Sequence, residues 1–210
     1  MTTLTSYQIY DLINRQRPLW LVKIDLSNTT LYWVDLSECN LSMADLSRTD
    51  FSWANLSGAD FRMANMNLAN LFEAHLQKAN LSETILTRAN LTRADLAKAE
   101  MIETVMGEAN LSRASLTKAI LTRANLHGAI MNRADLSKST LDGANLSGAD
   151  LTLANLFEAN LTDANLRGAN LSKADLTSAN LRGADLTGAN LDGADMTGAI
   201  MPDGTTASNS

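Results

Sequence analysis

The sequence predicts an all-β solenoid, a coil of short strands joined by corners, and three regularities carry this prediction. A large apolar residue stands at every fifth position from Leu21 to Met201, 37 positions of which 29 are Leu. A small residue, usually Ala, precedes each by two positions, and Asp or Asn usually stands between them. Most glycines fall two positions after the Leu, where a corner favours a positive φ.

A period of five excludes the common regular elements. An α-helix turns by about 100° per residue, so the apolar positions would spread around its whole circumference. A flat strand alternates every two residues and cannot keep an odd period on one face. The pattern fits a short strand followed by a corner, repeated every five residues. In each repeat two residues, the Leu and the Ala, point inward. Such units bury their apolar side only by stacking on their neighbours.

The run Ala-(Asp/Asn)-Leu-x-x covers Leu19 to Met201 and resembles the pentapeptide repeat proteins. The resemblance implies a right-handed β-helix of quadrilateral section with four repeats per coil. It therefore implies about nine coils and, at ~4.8 Å per coil, a rod of roughly 43 Å. The closing run Gly-Ala-Ile-Met-Pro-Asp-Gly at 198–204 is similar to the ending of many cyanobacterial members, including an inhibitor of heterocyst differentiation.

The two ends of the repeat array divide the chain into three parts. Residues 1–18 are predicted to form an N-terminal cap, with a short amphipathic α-helix from Leu4 to Arg15 that Pro18 terminates. The repeats fill 19–201, and 202–210 is predicted to be a disordered polar tail. We expect a monomer, or an end-to-end dimer joined through the C-terminal coil.

The composition argues against an enzyme. The only histidines, His75 and His127, fall at outward positions more than two coils apart, so they cannot share a metal site or a catalytic triad. The single cysteine, Cys39, replaces a core Ala and excludes an internal disulfide framework. We expect no catalytic residues, no metal and no cofactor. The chain starts without a basic and apolar leader, and no stretch approaches 18 apolar residues, so a cytoplasmic protein without membrane segments is expected.

Sorting the chain by twenty residues aligns basic side chains into two ladders. We call their seven members the basic belt: Lys78, Lys98, Lys118, Lys138, Arg93, Arg113 and Arg133. Residues 78–138 hold nine basic and six acidic residues, whereas the flanking segments are net acidic. Like charges on adjacent strands repel each other. The belt is either a docking surface for an acidic partner or a solvated face softened by nearby glutamates.

Aromatic and Met side chains gather near the N-terminus at positions that should point outward. Clusters of this kind mark protein interfaces, although the N-terminal cap could equally cover them. A smaller apolar set, at 85, 105, 120 and 130, replaces the usual Asp or Asn. We call the first group the aromatic patch: Tyr32, Trp33, Trp53, Phe72, Met43 and Met63.

Two functions follow from these surfaces. The first is a non-enzymatic protein–protein interaction module, a regulatory or signalling scaffold that binds a protein partner through its outer faces. The second comes from the family resemblance, since some members mimic DNA and bind type II topoisomerases. Net −6 over residues 139–210 corresponds to about one charge per 2.5 Å of rod, below the one per ~1.7 Å of duplex DNA. We do not expect nucleic-acid binding, because the pI is near 4.9.

Overall fold

The computed structural model describes residues 11, 14, 16 and 18–207. Parallel bridges pair every fifth residue with the residue twenty positions later, from Trp20 with Asn40 to Asn180 with Ile200. Each strand is a single bridging residue, and this described part of the chain contains no longer strand. Four repeats therefore make one turn of the coil. The spacing of twenty confirms the columns that the sequence predicts.

Each corner is a tight turn that begins at the Leu of its repeat. The N–H of Ile24 donates to the carbonyl of Leu21 at 3.2 Å, and the same bond recurs in every repeat from Val34 to Ala199. Only the third residue of each turn has a positive φ, such as 59° at Lys23, which defines a type II turn. The expected positive φ at the corner glycines is confirmed. It also extends to side-chain-bearing residues, which occupy 27 of the 36 corners from 23 to 198.

The backbone N–H groups of a repeat are satisfied within the rod. Leu21 and Lys23 donate to carbonyls of the next coil at 2.6 and 3.0 Å, and Asn40 donates to the preceding coil at 2.8 Å. The Ala position closes the turn. The fifth N–H, one place after the Leu, donates to the side-chain oxygen of the Asp or Asn two residues earlier. This bond forms wherever Asp or Asn occupies the outward position, the one between Ala and Leu, from 25 to 195. Asp and Asn alternate there because both present an oxygen two residues before that N–H.

The core is a narrow column of Leu and Ala. Side chains at these two positions are 0–1% exposed from Leu36 to Leu181. Four Ala positions carry a buried hydroxyl, which donates to a backbone carbonyl, as Thr104 does to Leu81 at 2.8 Å. Among the described residues, no buried side-chain nitrogen or oxygen lacks a hydrogen-bond partner. The interior thus tolerates polar replacements that can reach the backbone.

The two ends differ from the middle. The predicted N-terminal helix falls largely outside the described residues, and of its span only Asp11 is described as helical. At the C-terminus the expectation of a disordered tail is wrong for 202–207. The chain turns back at Gly204, and Thr206 pairs antiparallel with Ile200. Ala207 and Ala199 are hydrogen-bonded at 2.8 Å, so this strand covers one side of the last coil because open backbone groups there accept it.

Candidate interaction face

Two neighbouring columns of corner residues bound one face of the rod. The tryptophan–arginine column contains, in order, Trp33, Trp53, Glu73, Arg93, Arg113, Arg133 and Leu153. The lysine column lies five residues further along each coil and contains Lys78, Lys98, Lys118, Lys138 and Glu158. We call the surface between these columns the basic face. It joins the basic belt to Trp33 and Trp53 of the aromatic patch, with Tyr32 and Phe72 one residue before the tryptophan–arginine column, whereas the sequence suggested the belt and the patch as separate sites.

The aromatic end of this face is a stack of rings on adjacent coils. Trp33 and Trp53 lie parallel, with centroids 5.4 Å apart and planes 8° apart. Phe72 meets Trp53 edge-on at 5.4 Å. Trp33 remains 68% exposed and Tyr32 57% exposed. The stack therefore holds its rings rigidly while leaving its outer end open, which is the property of an anchor site.

Glu73 connects the aromatic stack to the cations. Its carboxylate accepts a hydrogen bond from Arg93 Nη1 at 2.9 Å and another from Trp53 Nε1 at 3.1 Å. The bond from Arg93, and then the one from Trp53, lowers the pKa of Glu73. The Trp53 ring, the Glu73 carboxylate and the Arg93 guanidinium are thus linked by hydrogen bonds along one corner of the rod.

Most cations of the basic face form no ion pair within the described part of the chain. Of the seven belt residues, only Arg93 and Lys138 form ion pairs, with Glu73 at 2.9 Å and Glu158 at 3.5 Å. The two other basic residues of 78–138, Arg88 and Arg123, lie on the remaining corners, and both are paired with a glutamate. Within 78–138, the cations without an ion-pair partner among the described residues all lie on the basic face: Lys78, Lys98, Lys118, Arg113 and Arg133.

The midline of the basic face is polar. Asp95 accepts from Gln77 Nε2 at 2.6 Å and from the backbone of Ala97 at 3.0 Å. Asp135 accepts from Thr117 Oγ1 at 3.1 Å and from the backbone of Ser137. Two carboxylates therefore lie between two rows of cations, in positions that favour a partner with hydrogen-bond donors.

One coil beyond Arg133 the basic face is again apolar. Leu153 follows Arg133 in the same column and is 43% exposed. Half-buried Phe157 lies at the other edge of the face, beside the lysine column, with Lys138 Nζ 5.7 Å from its ring centroid. Sequence reasoning missed both residues, although the columns that located the belt would have reached them one coil later.

Other candidate residues lie elsewhere on the rod. Met43 and Met63 share a corner half a coil away from the tryptophans and are 45% and 52% exposed, so the structure does not bring them to the basic face. Ile85 and Val105 pair on the face that those methionines border. Trp20, which the sequence reasoning did not single out, is 77% exposed on a third face.

The described residues contain neither a cluster of metal ligands nor a membrane-spanning helix. No group of three His, Cys, Asp or Glu side chains in the described ranges could hold a metal ion. His75 lies on the basic face and His127 on the opposite one. No helix among the described residues is both long enough and apolar enough to cross a membrane.

The repeat pattern matches a known family along the whole array. Eight copies of the family described as pentapeptide repeats match overlapping segments that run from residue 24 to 156 and from 159 to 198. This chain is a pentapeptide repeat protein. Proteins of this family fold as right-handed quadrilateral β-helices, as the sequence resemblance implied. A search of curated protein sequences finds no match.

Three solved structures illustrate the range of this family. HetL, a protein involved in heterocyst differentiation regulation from the cyanobacterium Nostoc sp. strain PCC 7120, is 34% identical over 99% of this chain and 100% of its own, with a TM-score of 0.49. Rfr23 from the cyanobacterium Cyanothece 51142 is 36% identical over 48% of this chain and 58% of its own, with a TM-score of 0.24. A trypsin-treated variant of QnrB1, a plasmid-mediated fluoroquinolone resistance protein, is 21% identical over 81% and 92%, with a TM-score of 0.55, and shares the fold alone.

Proposed function

We propose that this pentapeptide repeat protein is a non-enzymatic protein–protein interaction module, a regulatory scaffold that binds its partner through the outer surface of the rod. The observation that carries the proposal is the grouping of five unpaired cations with an exposed tryptophan stack on one face. Like charges on adjacent strands are unfavourable in the free protein, and an acidic partner relieves them. The 34% identity with HetL is consistent with a regulatory role.

The proposal includes the finer features expected from the sequence. The rod comprises about nine coils, its N-terminal segment acts as a cap, and the protein works in the cytoplasm as a monomer or an end-to-end dimer. A rod of this kind exposes a large surface relative to its core. Recognition therefore depends on which side chains occupy each face, whereas the fold depends on the repeat.

Site-specific photo-cross-linking in cells that express the chain at its native level tests this function. A photoreactive residue replaces Thr117, on the basic face, or Thr87, at the same repeat position on the opposite face. We expect a defined protein adduct from position 117 and none from 87, and we expect Arg113→Glu with Lys118→Glu to remove it. Equal adducts from both positions, or none from 117, would contradict the proposal.

The alternative is a DNA mimic that binds a type II topoisomerase and modulates it. The acidic C-terminal third favours this reading, with a net charge of −6 over residues 139–210. Its arrangement does not, because Asp142, Asp150, Asp175 and Asp185 lie on four different faces of the rod. Duplex DNA instead presents its charge in two continuous backbones.

A supercoiling assay separates the two functions. Purified protein is added to DNA gyrase with relaxed plasmid, and the topoisomers are resolved on a gel. The interaction-module proposal predicts unchanged supercoiling at a hundredfold excess of protein. Dose-dependent inhibition that Asp150→Asn and Asp185→Asn relieve would favour the mimic instead.

A further inference from the structure

We infer that the basic face binds one acidic helix of the partner, anchored by an apolar side chain at each end. This inference rests on the proposed function and specifies the chemistry of the partner. The carrying observation is the order of side chains along the tryptophan–arginine column. Trp33 and Trp53 come first, Arg93, Arg113 and Arg133 follow, and Leu153 comes next, before Lys173.

The length of this arrangement follows from the register. Trp53 and Leu153 are five coils apart because bridged residues are separated by twenty. At ~4.8 Å per coil the two apolar ends lie about 24 Å apart. An α-helix spans that distance in about 16 residues, at 1.5 Å per residue. The cations between the ends lie opposite the middle of such a helix.

The backbone of the rod selects a helix over a strand. Between the two apolar ends, from Trp53 to Leu153, the N–H groups at the Leu, corner, Ala and outward positions all bond to backbone carbonyls within the rod. A partner strand that adds to a sheet needs free main-chain donors and acceptors. A helix satisfies its own backbone, so it can lie on this face through side chains alone.

Charge complementarity specifies an acidic segment. Arg113, Arg133, Lys98 and Lys118 have no acidic side chain within ion-pair distance in the described chain. Arg88 and Arg123, on the other corners of the same stretch, are each paired with a glutamate. The molecule carries a net charge of −6, so carboxylates are plentiful elsewhere on the rod. An acidic partner helix supplies the carboxylates that these cations lack.

The midline favours a protein over a nucleic acid. Asp95 and Asp135 lie between the two rows of cations, and their carboxylates accept hydrogen bonds from neighbouring side chains and backbone. A phosphodiester backbone offers only acceptors and would be repelled there. A peptide offers Ser, Thr, Asn, Gln or Lys donors at the same place.

Synthetic helical peptides test the inference. The first probe is a 21-residue peptide with Leu at positions 3 and 18, which lie about 22 Å and about 60° apart on a helix, and Glu along the side between them. The second has the same composition with its two Leu residues eight positions apart. We expect the first peptide to change the tryptophan fluorescence and to bind at least tenfold more tightly than the second, by calorimetry, with affinity falling as salt rises.

Substitutions assign the binding to the face. Arg113→Glu with Lys118→Glu should weaken the first peptide at least tenfold. Leu153→Glu should reduce the preference between the two peptides to less than threefold, because one anchor site is removed. Arg88→Glu is the matched control on another corner and should leave both affinities unchanged. Circular dichroism checks that each variant keeps the fold.

Several outcomes would overturn the inference. These are equal binding of both peptides, no binding of either, a preference that persists in Leu153→Glu, or displacement of the first peptide by an equimolar 20-base-pair duplex. They are distinguishable from failure of the proposed function. A cross-linked partner at position 117 without a preference between the peptides sustains the interaction module and removes the acidic helix.

Discussion

At the scale of single residues, the repeat separates positions that need one residue type from positions that tolerate many. The outward position uses Asp or Asn because either oxygen bonds the N–H two residues on, as in Asp25 and Asn40. The corner requires a positive φ, yet Lys, Arg and Glu occupy it repeatedly. An L-residue with a side chain in this conformation costs roughly 1–2 kcal/mol. Bonds to the next coil hold the corner residues there, so the cost is offset locally.

Two glycines isolate this backbone cost. Gly168 has a φ of +63°, and a Cβ there would meet nothing within 4 Å, so Gly168→Ala should destabilise by about 1–2 kcal/mol through conformation alone. Gly107 stands at the second turn position, without a positive φ, and Gly107→Ala should stabilise by about 0.4–1 kcal/mol. Urea unfolding measures both. Equal effects of the two changes would contradict the assigned strain.

Two leucines at the same repeat position test the core. Leu116 is fully buried in the middle of the rod, and Leu116→Ala should cost about 2–5 kcal/mol by leaving a cavity. Leu186 is only partly buried near the C-terminal end, so Leu186→Ala should cost less than half as much. Chemical denaturation of both variants gives the comparison. Similar losses would mean that the end of the rod is packed as tightly as its middle.

At the scale of elements, the unit of structure is one repeat and the unit of surface is one coil. Five residues suffice to continue the core, since each repeat contributes one Leu and one Ala. Twenty residues are needed to return to the same face, since the bridges join residues that far apart. Adding or removing a whole repeat therefore preserves the fold. It changes which side chains share a face, because every later residue moves to a neighbouring face.

Deletions distinguish these two units. Removal of 99–108 deletes two whole repeats, so the protein should keep its β-rich circular dichroism and cooperative unfolding while Arg113 moves to the opposite corner. Removal of 99–105 deletes seven residues and places Arg113, Lys118 and Arg123 at core positions, which should abolish folding because a buried unpaired charge is strongly unfavourable. A folded seven-residue deletion would show that the register is not set by the core.

The sequence predicted the repeat, the columns and the positive φ of the corner glycines, because each depends on neighbours at fixed spacing. Other features depended on contacts that no spacing reveals. The link through Glu73 needs two side chains to converge from adjacent coils. The return of 202–207 was missed because its polar composition is typical of a tail, whereas open backbone groups on the last coil pair with it. Leu153 and Phe157 were missed because the sequence prediction followed the charged side chains and ended at the last cation of the belt, Lys138.

At the scale of the whole molecule, local hydrogen bonds to carboxylates determine the response to acid. The largest cause in each of five cases is a hydrogen bond from the side chain two residues on, which lowers the pKa of Asp25, Asp60, Asp185, Asp195 and Asp203. A carboxyl whose pKa is lower in the folded state stabilises the fold above its unfolded pKa. That contribution is lost as the pH falls through the folded value.

Asp185 gives the clearest pH dependence. Hydrogen bonds from Thr187 and then Arg167 lower its pKa from 3.8 to about 2, so its contribution should be complete above about pH 4 and be lost towards pH 2. In Asp185→Asn the amide oxygen can still accept the N–H of Thr187, as Asn180 accepts that of Arg182. We expect a smaller fall in the urea midpoint between pH 4 and 2.5 than in the unmodified protein. An identical fall in both would exclude Asp185 as a source.

Because of the twenty-residue register, a residue's number gives its place on the rod. The residue number divided by twenty gives the coil, and therefore the height along the rod. The remainder gives the face or corner on which the residue lies. Duplicating or losing one whole coil would change the separation between Trp53 and Leu153 by a fixed step of ~4.8 Å without rotating either. Related proteins could thus be matched to partner helices of different length in increments of about three residues. Counting residues between such apolar sites would give the length of the partner that each protein fits.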